Sequence, residues 1–514
     1  MTTVFFKVSI PLFLAGLALS LTACPPALDS GAGKLRLVLS GGGARAALSP
    51  DTINSLSYKL VFSGPGGETL SREAGPGTGA LSLTLTPGRW NIRAEAFEEG
   101  QFFGLGETAV TVEAGKTAEA VLAMKKFSTV WYVAAGGNDI TGTGSEAAPF
   151  ATVNGALEAI AALYGASSFA WPNKGTAAAA PARILVSGDI TTGLTGDNMV
   201  EISDSALYTT YPPIILAGAT ADDSENSIDA SSDARVVYIV NADLTLGPGL
   251  TLTGGDADLG GGVYVEANFA DSTASFTMTG GTISGNTATA ITGNPSSGVG
   301  GGVWVGTRAA DSTASFTMTG GTISSNTALS GGGGYVEANS SGSTASFTMI
   351  GETISGNTAS VGGGVWVGTR AADSTAFFTM IGGTISGNTA SSADGGSAGG
   401  GVYVVENSGS TTATAFFTMR GGTIRDNTAS SSFSPTTHGK GGGVYVDSGG
   451  TFTKSSGTIY GDDDTTHTSG SDENTATTGD GHAVYVYSSP SKKRNTDAGP
   501  ELTLDSTTSE NWGE

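Results

Sequence analysis

Two groups of side chains in this sequence could carry chemistry. Asp256 and Asp258 stand two apart, and Asp462-Asp463-Asp464 is followed by His467, Asp472, Glu473 and His482. Carboxylates grouped in this way can hold calcium, or serve as acid and base on a glycosidic bond when two of them sit at a defined separation. Cleavage of a polysaccharide by elimination would also need an Arg or Lys at the same place. The pairs Arg308/Asp311 and Arg370/Asp373 offer such cations, but they lie in two identical fifteen-residue blocks, GGGVWVGTRAADSTA, at 300–314 and 362–376. An asymmetric active site occurs once, so the duplication speaks for surface salt bridges, each contributing about 1 kcal/mol or less. The acidic groups are expected as solvated loop residues first, calcium sites second and catalytic groups last. His438, His467 and His482 are the three histidines and show no zinc spacing. The calcium-binding nonapeptide repeat is absent. No metal, cofactor or catalytic residue is therefore assigned.

The stretch LRLVLSGGGARAALS at 35–49 resembles the glycine-rich oxyanion segment of patatin-like lipases. That family needs a G-x-S-x-G nucleophile elbow soon afterwards, and an Asp partner. The formal match, Gly395-Gly396-Ser397-Ala398-Gly399, lies far downstream in a repeat loop, so a turn between strands is the better reading.

The elements that must position these residues are β-strands. The chain has 514 residues, 81 of them Gly, and 13% charged residues, about half the usual share. Its polarity comes from Ser, Thr and Asn. A net charge of -23 sets the protein against nucleic acid and anionic membrane surfaces, and Lys492-Lys493-Arg494 is the one basic tract. From residue 34 to 126 apolar and polar residues alternate, with Leu81, Leu83 and Leu85 on one face of a strand and Trp90, Ile92 and Ala94 on a face of the next. This predicts a small β-sandwich, similar to the immunoglobulin-like or prealbumin-like modules that space surface lipoproteins from their membrane.

The N-terminus, MTTVFFKVSIPLFLAGLALSLTAC, is one Lys, an apolar run and then Leu21-Thr22-Ala23-Cys24. It resembles a bacterial lipoprotein signal. The resemblance implies cleavage of residues 1–23, acylation of Cys24, a lipidated tether over 24–33 and attachment to a membrane, since each buried methylene contributes about 0.8 kcal/mol. Cys24 is the single cysteine, so no disulfide is expected. Pro25 rather than Asp after the Cys leans towards the outer membrane or cell surface.

A second domain is expected over 130–514. It opens with Tyr132-Val133, Gly137-Asn138-Asp139, Gly142-Thr143, Pro149-Phe150 and Thr152, followed by Val153, Ala156, Leu157, Ile160 and Leu163 at helical spacing. This resembles the N-terminal coil of right-handed parallel β-helices of the pectate-lyase-like superfamily, where a helix, here near 152–164 with Thr152 as N-cap, closes the open end. From about 252 to 487 the chain repeats. GGGVYV-like strands centre on Tyr264, Trp304, Tyr335, Trp366, Tyr403 and Tyr445, at intervals that change from one pair to the next, and alternate with FTMTGGTISGNTA-like segments. Such periods mean a solenoid, and three short strand-like pieces per repeat make it a parallel β-helix. These repeats resemble the passengers of the polymorphic outer-membrane protein family, although ELTLDSTTSENWGE lacks the alternating strands of a C-terminal barrel; a lipid at Cys24 would replace it.

Three columns should stack along this helix. Phe276/Met278 and their counterparts, and Ile283 with its counterparts, should fill the core. Asn286, Asn326, Asn357, Asn388 and Asn427 should form a ladder at a corner, where Asn tolerates the left-handed conformation. In V-Y-V strands alternation separates the valines from the aromatic residue. If valines face the core, then Tyr264, Trp304, Tyr335, Trp366, Tyr403 and Tyr445 form an outward stripe able to dock sugar rings or a host protein. The alternative is that they stack on one another or face inward, which Gly334 at a valine position favours. The expectation is thus an all-β chain, a right-handed parallel β-helix preceded by a small β-sandwich domain, acting as a lipid-anchored adhesin or structural or antigenic surface protein. Its partners would be a membrane and a polysaccharide or host-surface ligand, not nucleic acid. The alternative is a carbohydrate-active enzyme, a polysaccharide lyase or glycoside hydrolase, on the same fold.

Overall fold

A computed structural model describes residues 32–40, 54–98, 101–123, 125–126, 129–165, 180–204, 211–294, 296–392, 398–410, 412–431, 439–461, 473–476, 482–487 and 492–494. The chain divides into two compact units, Met1–Phe127 and Ser128–Glu514.

Alternation builds the first unit. One sheet has the order Ala80–Leu85, Gly33–Ser40, Thr117–Ala123, and the other runs from Thr69–Ala74 through Ser57–Ser63, Gly88–Glu98 and Gln101–Val112 to Lys125–Lys126. Leu35, Leu37 and Leu39 from the first sheet share a core with Tyr58, Leu60, Phe62, Trp90, Ile92 and Ala94 from the second. Burying Trp90 is compatible with its polar atom because the indole N–H donates to Thr86 O at 2.9 Å. Leu81 and Leu83 reach the core only in part.

The second unit is a parallel β-helix whose coils begin well before the sequence repeats do. Val130–Ala134 already pairs in parallel with Ala182–Ile190. The helix Val153–Gly165 follows, and the reason it starts there lies in Asp139. Its carboxylate accepts from the Ala151 and Thr152 N–H groups and from the Thr152 hydroxyl, while Thr152 Oγ1 accepts from Gly155 N–H at 2.9 Å. Two N-terminal donors and the cap are thereby satisfied. Val153, Ala156, Leu157, Ile160 and Tyr164 are the buried face, with Tyr164 taking the place expected for Leu163. Asn154 ties the helix to the next coil, donating to Gly193 O and Met199 O and accepting from Glu201 N–H.

Seven coils then follow, each marked by its aromatic residue: Tyr264, Trp304, Tyr335, Trp366, Tyr403, Tyr445 and Tyr485. Their strands, from Val263–Ala267 to Val484–Val486, lie in one ten-stranded sheet with Asn198–Ser203 and Arg235–Val240 beneath. Pairing is in register, so that Val263, Val303, Gly334, Val365, Val402, Val444 and Val484 form one column. Lys492–Arg494 closes the free edge by pairing antiparallel with Val484–Val486. Among the described residues this charged strand of opposite direction is the last of the sheet, where another parallel strand would otherwise add.

The FTM and TIS pieces, expected as separate strands, are continuous in Thr273–Ser284, Thr313–Ser324 and Thr414–Arg425, and so is their counterpart in the Tyr445 coil, Gly450–Ile459. A register shift marks the bend between the first two, where Gly281 and Gly321 take φ of +80° and +90°. The same bend interrupts the strand in the Tyr335 and Trp366 coils, giving Thr353–Ser355 and Thr384–Ser386 as separate strands. A further narrow sheet, Thr358–Ala359, Thr389–Ser392, Thr428–Ser431 and Thr475–Ala476, forms the remaining side. Inside, Phe276, Phe316, Phe347, Phe378, Phe417 and Phe452 stack at centroid distances between 4.4 Å and 5.1 Å. Each such side chain, fully buried, contributes roughly 1.5–3 kcal/mol.

Candidate functional site

The corner after each TIS strand carries the Asn column. Every member is fully buried. Asn286 N–H and Nδ2 both donate to Asn326 Oδ1 at 3.0 Å, and the pattern repeats from Asn326 to Asn357, Asn388, Asn427 and Asn474. The second amide proton goes down the stack, as from Asn357 Nδ2 to Ile323 O at 3.1 Å. The left-handed residue is not the Asn but the one before it: Gly285, Ser325, Gly356, Gly387 and Asp426 have φ between +56° and +67°. The Asn side chain is needed for its two-sided amide, and its predecessor makes the turn. Room for the ladder comes from glycine. A Cβ on Gly302 would stand 2.5 Å from Gly333 O and 3.0 Å from Asn326 Nδ2.

The aromatic column lies on the opposite face of its strands from the core valines, as alternation requires, but it is not an open stripe. Tyr264, Trp304, Tyr335 and Trp366 are at most 5% exposed, and Tyr403 and Tyr445 are half-buried. Side chains of the flanking segments cover it: Leu259, Val299 and Val361 pack against the rings, joined by Val405 from the Tyr403 strand itself. The rings stack nearly parallel, Tyr264 on Trp304 at 4.5 Å, Tyr335 on Trp366 at 4.1 Å, and Tyr403 on Tyr445 at 5.3 Å. Stacked rings close to one another leave their faces in mutual contact rather than free for a sugar.

The first four coils alternate in kind. A Tyr coil has Glu two residues on, and Tyr264 donates to Glu266 at 2.6 Å as Tyr335 does to Glu337 at 2.9 Å. A Trp coil has Gly at that position, because a Cβ on Gly306 would lie 2.2 Å from the Trp304 ring, and on Gly368 2.4 Å from that of Trp366. The Trp coil also brings the Arg that the buried carboxylate of the preceding coil needs. Arg308 pairs with Glu266 at 2.5 Å and Arg370 with Glu337. These are the partners of the two arginines, in place of the expected Asp311 and Asp373. Those aspartates, with Asp271, adopt φ of +56° to +60° at a corner where the Tyr335 coil has Gly342. Their role is in the backbone turn.

Burial pushes the phenols of Tyr264, Tyr335, Tyr403 and Tyr445 far above their ordinary range, and the neighbouring carboxylates Glu266, Glu337 and Asp447 push the same way. For Arg370 burial pulls downward, but Tyr335 and Glu337 outweigh it, and the guanidinium is held above its usual value.

Neither acidic group assembles a site among the described residues. Asp256 begins a two-residue strand rather than a loop and accepts from Thr289 Oγ1 at 2.6 Å. Asp258 stands 3.5 Å from Arg235. That arginine is occupied by Leu259 O, Gly260 O and Asn198 Oδ1, and lies over the Tyr264 ring at 4.7 Å. It flanks the lower part of the aromatic stack, which continues from Tyr264 down to Tyr238 at 5.1 Å, and burial draws its pKa down. His482 Nδ1 faces Asn474 O at 3.2 Å, beside the last rung of the ladder. Cys24, the Asp462–Asp464 triplet, His438, His467, Asp472, Gly395–Ser397 and residues 41–49 lie outside the described residues. No cluster of three or more His, Cys, Asp or Glu able to hold a metal occurs among the described residues, and no described helix is long and apolar enough to cross a membrane.

Glu266 and Glu337 were not singled out by sequence reasoning. The signal that could have found them is the alternation of YVEA, at 264–267 and 335–338, with WVGTR, at 304–308 and 366–370. Comparison with protein-family models, curated proteins and solved structures yields no match.

Proposed function

We propose that this chain is a cell-envelope lipoprotein whose β-helix is a rigid surface rod, acting as an adhesin or as a structural and antigenic surface protein. The observation that carries the reading is the stack itself. Seven coils keep the same inner columns in register, while the length of chain between successive aromatic positions changes along the stack. Constant coils with variable connections present many similar loops along one axis, and such arrays gain avidity through simultaneous weak contacts. The candidate ligand is a polysaccharide or a host-surface protein met at the loops, since the aromatic rings are covered. Anchoring rests on the Leu21-Thr22-Ala23-Cys24 pattern.

Two measurements test this. Cys24→Ser should abolish incorporation of labelled fatty acid and shift the protein from the detergent to the aqueous phase; unchanged partitioning would remove the anchor. Beads carrying the full chain should be retained on a panel of polysaccharides and cell surfaces, with retention rising more steeply than linearly with surface density. Linear retention would contradict multivalency, and no retention would leave the structural and antigenic role alone.

A further inference from the structure

The outer face of the sheet built by the Phe/Met strands differs from the rest of this acidic protein. Three columns point outward there through five consecutive coils, in register: Thr273 to Thr414, Ser275 to Phe416, and Thr277 to Thr418. None of the fifteen positions is charged. The charges lie at the rim: Asp271, Asp311 and Asp373 at the corner two residues before the first column, Asp243 one coil below, already bonded to Ser275, and Arg420 at the bend. Within this neutral field the middle column changes from Ser to Phe377 and Phe416. Phe377 is 36% exposed, and Ile350 and Ile381, on successive coils beside it, are 45% and 44% exposed. Exposed apolar side chains grouped in an uncharged field mark a contact surface.

The ring geometry says what kind of contact. Phe377 and Phe416 stack on each other at 5.5 Å with 13° between their planes. Both rings stand up from the sheet with their edges outward, whereas a sugar ring docks on an aromatic face. Edges projecting at the strand spacing of about 4.8 Å match the grooves of another sheet of the same period, packed about 10 Å away. The chain carries such a sheet itself, and a neutral face is the one through which two copies of net charge -23 can approach. Five coils at about 4.8 Å and seven residues at about 3.3 Å give a face of roughly 24 by 23 Å. Two copies would bury on the order of 1,000 Å², the lower end for a specific interface.

We infer that this face is where two copies of the chain meet, in a weak, concentration-dependent dimer. The inference stands on the second unit alone, whether or not the chain is anchored or adhesive.

The test uses the full chain in mild detergent, with cysteine placed at Thr317, Thr348, Thr379 or Thr418 and, as a control on another side of the coil, at Thr358. Oxidation should give a disulfide-linked band of twice the mass from at least one of the four, at least fivefold above Thr358→Cys and above the wild-type chain with its own Cys24. Adding Phe377→Glu and Phe416→Glu to the best of them should cut that band at least fivefold while leaving the far-ultraviolet spectrum and melting temperature of the chain unchanged. Equal bands at the four positions and at Thr358 would overturn the inference. So would a band that survives the two glutamates, or a band suppressed by a neutral glucan.

Discussion

Two columns run the length of the same coil and obey different rules. At the Asn corner the same residue recurs on every level from Asn286 to Asn474. On the aromatic sheet two kinds of coil alternate over the first four levels, Tyr with Glu and then Trp with Gly and Arg. An amide is both donor and acceptor, so one Asn satisfies the next and the ladder has a period of one coil. A buried carboxylate cannot sit on another carboxylate, and an indole needs a void beside it, so the aromatic column has a period of two. This accounts for the identical blocks at 300–314 and 362–376. They are the second member of a two-coil unit, and each must offer the same ring, the same void and the same cation to the Tyr coil below it.

Either column can be disrupted by a single substitution. Asn357→Ala should have the largest effect. It takes from Asn326 N–H its acceptor, from Asn326 Nδ2 one of two acceptors, the other being Ile283 O, and from Ile323 O a donor, and at about 1–3 kcal/mol for each buried group left short of a bond the second unit should lose at least ~3 kcal/mol in thermal or denaturant unfolding. Arg370→Ala should come next. Glu337 is buried and keeps only Tyr335, so a loss of about 2–3 kcal/mol is expected, below the ~3–5 kcal/mol of a fully buried pair because the arginine is partly exposed. Glu337→Gln with Arg370→Ala should recover part of that loss.

Alkali sharpens the same point. The Tyr264, Tyr335, Tyr403 and Tyr445 phenols have folded pKa values raised above the unfolded value near 10. Their stabilising contribution is complete below that pH and is lost as pH rises above it. The part of the tyrosinate absorbance lost when these four are replaced by Phe should therefore rise with unfolding rather than before it, and an early rise of that part in the native protein would show the rings to be open to solvent. The smallest effect belongs to Asp311→Asn, within ~0.5 kcal/mol, since Asn also tolerates the positive φ and the arginine pairs elsewhere. A loss comparable to that from Arg308→Ala would restore the Arg308–Asp311 pair.

Much of this architecture was legible in the sequence because solenoid columns write themselves as spacing. Phe276 and its counterparts, Ile283 and its counterparts, the Asn series, the Thr152 cap and the sandwich alternation all follow from residue type and period. The aromatic column was half legible: alternation placed the rings opposite the valines, but not the covering segments, because Leu259, Val299 and Val361 reach the rings through the closure of the coil and not through any local pattern. The arginine partners were missed for a related reason. Asp311 follows Arg308 within the same turn of chain, whereas Glu266 belongs to the coil before it, distant in sequence and adjacent in register. Local spacing favours the first partner, and stacking delivers the second.

The most direct test of the two-coil period is a pair of deletions. Removing Val303 to Gly364, a pair of coils, joins Gly302 to Val365 and places a Trp coil on the Tyr264 coil, as before. Removing Gly334 to Gly364, a single coil, joins Gly333 to Val365 and places one Trp coil on another, with Arg370 deprived of Glu337. Both keep the G-G-G-V junction. The period of two predicts that the longer deletion melts close to the full chain and the shorter one well below it. If stability instead falls with the number of coils removed, so that the longer deletion melts lower, the alternation does not govern the stack.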